Sequence, residues 1–346
     1  MENAKSLIRF CDHQSIGIVG VTKGCCGNPF VAQAMVLGGI EMLADSRLEH
    51  LYKIRKFGIS VPLMLIRLPN PKEASQVVQV ADVSINSEPS TISALGEAAK
   101  VLGIIHKIIL MVDVGDRREG ILPKDALSMA RSILLTPNIE LLGLGTTTSC
   151  LNGIYPSYEN LKILVDIADS IEKEFNVPIK VLSGGQTASL NLIDNNQIPD
   201  RINQLRVGEA ILLGTNEIWE TEPPYLYQNA IRITSEVIEL KTKPSAPEGR
   251  IGKDAFGRIP KGIDQGLRLR AIVAMGEIDT YVDGLTPEHP AMKIVAASSD
   301  HMVVDITELP YAVRVGDTIA FRPSYSAMAV SMASSTVEKI ISPAHQ

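Results

Sequence analysis

The amino-acid sequence predicts an α/β protein: an eight-stranded, TIM-type (β/α)8 barrel over residues 1–220, followed by a mostly antiparallel β domain over 221–346. Three observations carry this. Between residues 16 and 214, β-branched apolar runs alternate with longer stretches of helical periodicity, the pattern of βα units around a parallel sheet. Eight such runs fit the span of a closed barrel, whereas an open doubly wound sheet more often uses roughly five to seven. After Gly214 the helical periodicity stops and strand-like runs follow one another directly, which marks a separate antiparallel domain.

The barrel strands are expected at 16–21, 40–43, 62–66, 83–85, 107–112, 139–143, 179–182 and 210–213. Amphipathic stretches at 46–57, 88–101, 124–134 and 158–175 cover them, and Ser46 and Ser157 read as helix caps. A connection through Glu222, Pro223 and Pro224 leads to β-domain strands at 230–240, 268–274, 293–297, 302–306 and 318–321. The stretch 243–265, rich in Gly, Pro, Lys and Asp, reads as an excursion between two of them.

Thirty-three Lys and Arg against 39 Asp and Glu leave a net charge of −6, with no basic stripe to neutralise a phosphate backbone, so nucleic acid is not an expected partner. Aromatic residues are only 4%, so Ile, Val, Leu, Ala and Met must build the core. No apolar run approaches the roughly 18 residues of a membrane span, and the first residues lack the order of a signal peptide; a cytoplasmic address is expected. Cys11, Cys25, Cys26 and Cys150 are too few and too scattered to staple the chain and read as reduced thiols.

In a (β/α) barrel the chemistry gathers at the carboxyl ends of the strands. After the first strand stands Thr22-Lys23-Gly24-Cys25-Cys26-Gly27, one lysine followed by small residues. Such a lysine, if desolvated, becomes a nucleophile toward a carbonyl; on its own it reads more readily as a lysine reaching into solvent. After the fifth comes Asp113-Val114-Gly115-Asp116-Arg117-Arg118-Glu119, a charged loop. After the seventh, Ser183-Gly184-Gly185-Gln186-Thr187 frees backbone amides and a hydroxyl for a phosphate. Near the last, Arg206-Val207-Gly208-Glu209 puts a charge in apolar surroundings, where it needs a partner. A lysine nucleophile, an arginine and two phosphate-binding turns at one mouth together meet the needs of an enzyme that binds pyridoxal 5'-phosphate as a Schiff base.

On these motifs the sequence resembles the alanine racemase family of pyridoxal phosphate enzymes, and within it the ornithine racemase group, over nearly its whole length. The resemblance implies that Lys23 holds the cofactor and acts as one acid/base, and that Arg206 contacts the pyridine nitrogen. Thr187, Gly208 and Glu209 fall where the phosphate-binding hydroxyl and backbone amides lie, with Gln186 in the same turn. Arg118 falls where an arginine supports the phenolic oxygen, and Thr147 where many members have a histidine. Gly27 stands where the family's lysine motif has a phosphate-binding tyrosine; Tyr325 is the expected replacement. The family's second base, a tyrosine in a Gly-Tyr-Ala-Asp-Gly stretch, has no counterpart in Gly276-Glu277-Ile278-Asp279, which leaves Asp300, Ser299 and Glu277 as candidates for the second face. The helix that residues 2–10 resemble lacks the strand that usually precedes it.

The resemblance further implies a homodimer in which the β domain of one subunit completes the site of the other. Decarboxylases of the same barrel class place an acidic residue where Arg206 stands, and cofactor carriers with the same lysine lack a β domain; both departures favour a racemase. The substrate expected is ornithine, ahead of lysine, alanine, serine or a broad range, because Asp300 falls where related decarboxylases of basic amino acids place an aspartate that meets the distal ammonium.

Overall fold

The computed structural model describes residues 1–259 and 264–342. The chain divides into two compact units, Met1–Gln228 and Asn229–Gln346. In the first, eight parallel strands close a barrel: β1 (Gly17–Val21), β2 (Met42–Asp45), β3 (Leu63–Leu65), β4 (Val83–Asn86), β5 (His106–Met111), β6 (Ile139–Gly145), β7 (Val181–Ser183) and β8 (Gln204–Val207). Closure is made by β1, which pairs Val19 with Met42 on one side and with Arg206 on the other. Val19, Val21, Ala44, Met64, Val83, Ile85, Ile109 and Met111 form one buried cluster of branched and sulfur-containing side chains, as the shortage of aromatics requires. Gly143 is dictated by the closure, since a Cβ there would lie 2.1 Å from the Val181 carbonyl oxygen.

The helices of this unit are α1 (Glu2–Asp12), α2 (Pro29–Leu37), α3 (Leu48–Lys56), α4 (Ala74–Val80), α5 (Pro89–Leu102), α6 (Ala126–Leu134), α7 (Tyr158–Phe175), α8 (Leu190–Asp194) and α9 (Glu209–Leu213). In α7 the Ser157 Oγ accepts the Asn160 N–H while the Asn160 Oδ1 accepts the Ser157 N–H, a capping box that starts the helix where its apolar stripe begins. Leu161, Leu164, Ala168 and Ile171 bury that stripe, and Asn176 ends the helix in the left-handed region.

Two expectations are corrected here. Residues 210–213 are not the eighth strand but the helix α9; its four apolar residues are all buried, and a short buried run has the same composition in either state. The true strand, Gln204–Val207, was masked by two polar side chains within it. Ser46 does not cap α3: the N-cap is Arg47, and the Asp45 carboxylate accepts the Arg47 N–H instead.

The second unit is a six-stranded sheet of β9 (Ile233–Pro244), β10 (Leu267–Val273), β11 (Leu285–Pro287), β12 (Lys293–Ala297), β13 (Met302–Asp305) and β14 (Thr318–Pro323), followed by α10 (Tyr325–Ala333). Its order is β11-β14-β9-β10-β13-β12, and the pairings are antiparallel. Val237, Ala271, Val273, Met302, Val304, Ile319 and Phe321 form its core. The excursion expected at 243–265 joins β9 to β10, with 260–263 outside the described residues. Among the described residues no helix is long and apolar enough to cross a membrane.

Candidate active site

Four strand ends build the site in the barrel unit. At the end of β1, Thr22 is fully buried: its N–H donates to the Ala44 carbonyl (2.8 Å) and its Oγ1 to Asp45 Oδ2 (2.7 Å). The Thr22 carbonyl in turn accepts the N–H of Cys25 and of Gly27, which wraps the next residues into a tight turn with Lys23 at its head. The Lys23 side chain is exposed, and the described residues give it no hydrogen bond or ion pair. The expected desolvation of this amine is therefore not provided by the chain alone. Gly27 has φ +60°, and a Cβ there would sit 2.5 Å from the Cβ of His50, so no tyrosine can occupy this position.

Burial pushes the Cys25 and Cys11 thiols up to about 12, which keeps both protonated and inert. None of the four cysteines is in a disulfide.

After β5, the Asp113 carboxylate accepts the N–H groups of Gly115 and Arg117 and pairs with the Arg117 guanidinium at 3.1 Å. Arg118 is clamped by both oxygens of Glu119, which holds its guanidinium firmly charged. Asp116, buried, accepts backbone N–H groups from Cys150 (3.3 Å), Leu151 (3.0 Å) and Asn152 (3.2 Å), so the loops after β5 and β6 are stapled together.

After β7, Gln186 donates to the Thr148 carbonyl at 3.0 Å and accepts from the Cys150 thiol at 3.4 Å. Thr187 is buried beside α9, where the Ala210 N–H approaches its Oγ1 at 3.4 Å.

Arg206 is the centre of this set. Its Nη1 donates to Ser183 Oγ, and its Nη2 to the Thr146 carbonyl (2.6 Å) and Thr147 Oγ1 (3.0 Å). No carboxylate pairs with it among the described residues; burial lowers it to about 10, which leaves it a cation at neutral pH. Glu209, by contrast, is pushed up to about 7 by burial, although the Glu217 N–H (2.6 Å) and Thr215 hydroxyl (3.0 Å) bond its carboxylate.

The predicted residues Arg206 and Thr147 are thus in direct contact, Arg118 lies close enough for its charge to act on Arg206, and Thr187 meets the start of α9 beside Gly208 and Glu209. Residues not singled out from sequence are Ser183 as an Arg206 partner, Asp116 as the staple, and Asp45 with His50. The strand end after β2, Asp45-Ser46-Arg47, carried the signal for the last pair.

The donor set suits pyridoxal phosphate. A buried guanidinium bonded only to neutral oxygens matches an unprotonated ring nitrogen, and Asn216, which donates to the Thr187 carbonyl, keeps its buried Oδ1 without a protein partner beside the predicted phosphate turn. No cluster among the described residues could hold a metal ion. A separate surface hollow of about 350 Å³, lined by Asp113, Arg117, Leu122, Lys124 and Ile163, contains none of the predicted site residues.

In the second unit, Gly276 packs against the 298–300 loop so closely that a Cβ would lie 2.4 Å from the Ser299 carbonyl oxygen. Glu277 and Ile278 donate their N–H groups to the Ser298 and Ser299 carbonyls at 3.0 Å, which brings the candidates Glu277, Ser299 and Asp300 together. Glu277 is not a free acid/base, however: Arg258 pairs with it at 2.6 Å. Asp300 is exposed and bonds the Ser299 hydroxyl (3.2 Å) and His301 Nδ1 (2.8 Å). Tyr325 opens α10.

Residues 1–216 match the family model described as alanine racemase, N-terminal domain. The chain belongs to the alanine racemase family. It is a pyridoxal phosphate-dependent amino acid racemase, and the comparisons extend the family likeness beyond the barrel. An ornithine racemase of Acetoanaerobium sticklandii is 37% identical over 98% of this chain and 96% of its own length. A lysine racemase of Thermotoga maritima is 39% identical over 99% of this chain and 96% of its own. Among solved structures, alanine racemase of Clostridium difficile 630 superposes with a TM-score of 0.69 at 18% identity, covering 93% of this racemase and 84% of that chain. D-threonine aldolase of Filomicrobium marinum gives 0.73 at 14%, covering 95% and 85%; these two show a shared fold.

Proposed function

We propose that this racemase interconverts L- and D-ornithine, with Lys23 as the cofactor lysine and as the proton carrier on one face of Cα. Pyridoxal phosphate, when bound, withdraws electrons from Cα and so makes its hydrogen acidic. The Lys23 Nζ takes or returns that proton on one face, and a second group must do so on the other. Ser299 and Asp300 are the candidates for that group; Glu277, already engaged by Arg258, is the weaker one. Arg206 stays protonated and does not give its proton to a ring nitrogen, which favours proton return at Cα over loss of carbon dioxide. Arg118 would support the cofactor's phenolic oxygen, Thr147 would stand beside its ring, and Gln186, Thr187, Gly208, Glu209 and Tyr325 would hold its phosphate. We assign the working unit as a homodimer.

The observation that carries the substrate choice is Asp300. The His301 ring and Ser299 hydroxyl hold its carboxyl below the usual range, so it is an anion, and it remains exposed. Such a carboxylate can accept hydrogen bonds from a side-chain amine, and alanine offers no amine. The likeness to relatives named ornithine and lysine racemase supports a basic substrate, with lysine the nearest competitor.

The test is chiral chromatography of a panel of amino acids incubated with protein and cofactor, repeated with Asp300→Asn. Ornithine is expected to be racemised fastest. The variant is expected to lose more activity on ornithine than on norvaline. Equal losses on both would show that Asp300 does not read the amine.

A further inference from the structure

At the end of β2, the fully buried Asp45 carboxylate is filled by three donors. Oδ2 accepts Thr22 Oγ1 at 2.7 Å, and Oδ1 accepts the Arg47 N–H at 3.0 Å and His50 Nδ1 at 2.9 Å. One end of this network is therefore the residue immediately before Lys23. The other end, His50, reaches the same turn from the opposite side: its Cβ stands 2.5 Å from the point a Gly27 side chain would begin. The turn from Thr22 to Gly27, which carries Lys23, is thus held at its first residue by Asp45 and abutted at its last by the Cα and Cβ of His50, whose ring Asp45 holds. An exposed lysine with no bond of its own gains its position only from such a turn.

We infer that Asp45 and His50 form a positioning pair for Lys23, in which Asp45 fixes the Nδ1–H tautomer of His50 and the two residues together hold the turn that presents the lysine amine. Thr22 cannot rotate its hydroxyl away without leaving a buried carboxylate oxygen unpaired, a loss that costs more than an ordinary hydrogen bond contributes. A Cβ on residue 27 would lie 2.5 Å from the Cβ and 2.9 Å from the Cα of His50, so the close approach of this residue requires the glycine. Ordering the amine before the cofactor arrives removes part of the entropic barrier to its attack on a carbonyl carbon.

The inference rests on Lys23 being the cofactor lysine, and the experiment separates the two. Apoprotein is mixed with pyridoxal phosphate, adduct formation is followed by absorbance, and the product is trapped with borohydride and mapped by peptide mass. Wild type, Lys23→Ala, His50→Ala, His50→Asn and Asp45→Asn are compared, together with amide hydrogen exchange over residues 22–27 of each apoprotein. Asparagine carries an N–H donor on Cγ, as histidine does at Nδ1, so His50→Asn is expected to react within about threefold of wild type. His50→Ala and Asp45→Asn are expected to react at least tenfold more slowly and to exchange faster across the turn, with kcat lowered more than KM is raised in the loaded enzyme.

A merely structural role would lower the melting temperature of His50→Ala and leave the rate constant at 25 °C unchanged, and that result overturns the pair while Lys23 stands. Should Asp45→Asn fail to fold, the contrast between His50→Ala and His50→Asn decides the question alone. An adduct that maps to another lysine, or no adduct in wild type, overturns the Lys23 reading itself.

Discussion

Arg206 shows what one residue reveals in sequence and what it conceals. A charge inside an apolar run announces a partner, and an arginine held by barrel carboxylates is the lesser alternative. The partners are instead the Ser183 hydroxyl of β7 and the Thr146 carbonyl and Thr147 hydroxyl of the loop beyond β6. Arg206→Glu is expected to divert part of the turnover from racemisation to transamination, measured as keto acid formed per D-amino acid produced, because a carboxylate favours a protonated ring nitrogen; loss of cofactor with an unchanged product ratio would assign Arg206 a structural role only. Glu209 allows a signed pH prediction. Burial raises it from 4.5 to about 7, so the folded state holds the proton more tightly than the unfolded chain. The stability that Glu209 contributes is full below about 4.5 and is lost as pH rises through 7. Glu209→Gln should therefore gain on wild type between pH 5 and 8, by on the order of 1–3 kcal/mol. A constant difference in urea midpoints across that range would show that the carboxylate is solvated. The approach of His50 to Gly27 was not legible because the two are neighbours only in space.

Among the elements, legibility followed the strength of periodic signal. The 158–175 helix is found where its capping serine and apolar stripe agree, and its boundaries coincide with those observed. Removing the box tests that agreement: Ser157→Ala should cost about 1 kcal/mol in chemical denaturation, and an unchanged midpoint would mean that packing of the stripe alone sets the helix start. Where the signal was composition only, the sequence misled. Residues 210–213 are apolar enough for a strand, yet they follow Gly208 into a short buried helix, while β8 carries Gln204 and Arg206 on a strand of four residues. Similarly, α2 begins at Pro29 under an Asn28 cap that accepts from Phe30 and Val31, a start signal hidden within a loop rich in small residues. Polar residues inside a barrel strand and caps inside a glycine-rich loop are both marks of a functional end of the barrel, where local rules give way to the site.

For the whole molecule, the proposed site residues fall in both units of the chain. Lys23, Arg118 and Arg206 belong to the unit ending at Gln228, while Ser299 and Asp300 belong to the unit beginning at Asn229. The change of architecture was legible in the sequence, because the change from alternating βα runs to consecutive strands is a property of long segments and survives local errors. What it could not reveal is which copy of the second unit serves which barrel. If each barrel is completed by the other subunit of a homodimer, a variant lacking Lys23 and a variant lacking Asp300 carry complementary defects. After the two, each inactive on ornithine, are mixed in equal amounts and allowed to exchange subunits, half of the dimers are hybrids, and each hybrid has one site with both residues intact. Recovered activity should then approach about one quarter of wild type, provided that association is random and the sites are independent. Sites contained within single chains would recover nothing on mixing, and a fully active monomer in light scattering would remove the dimer from the mechanism.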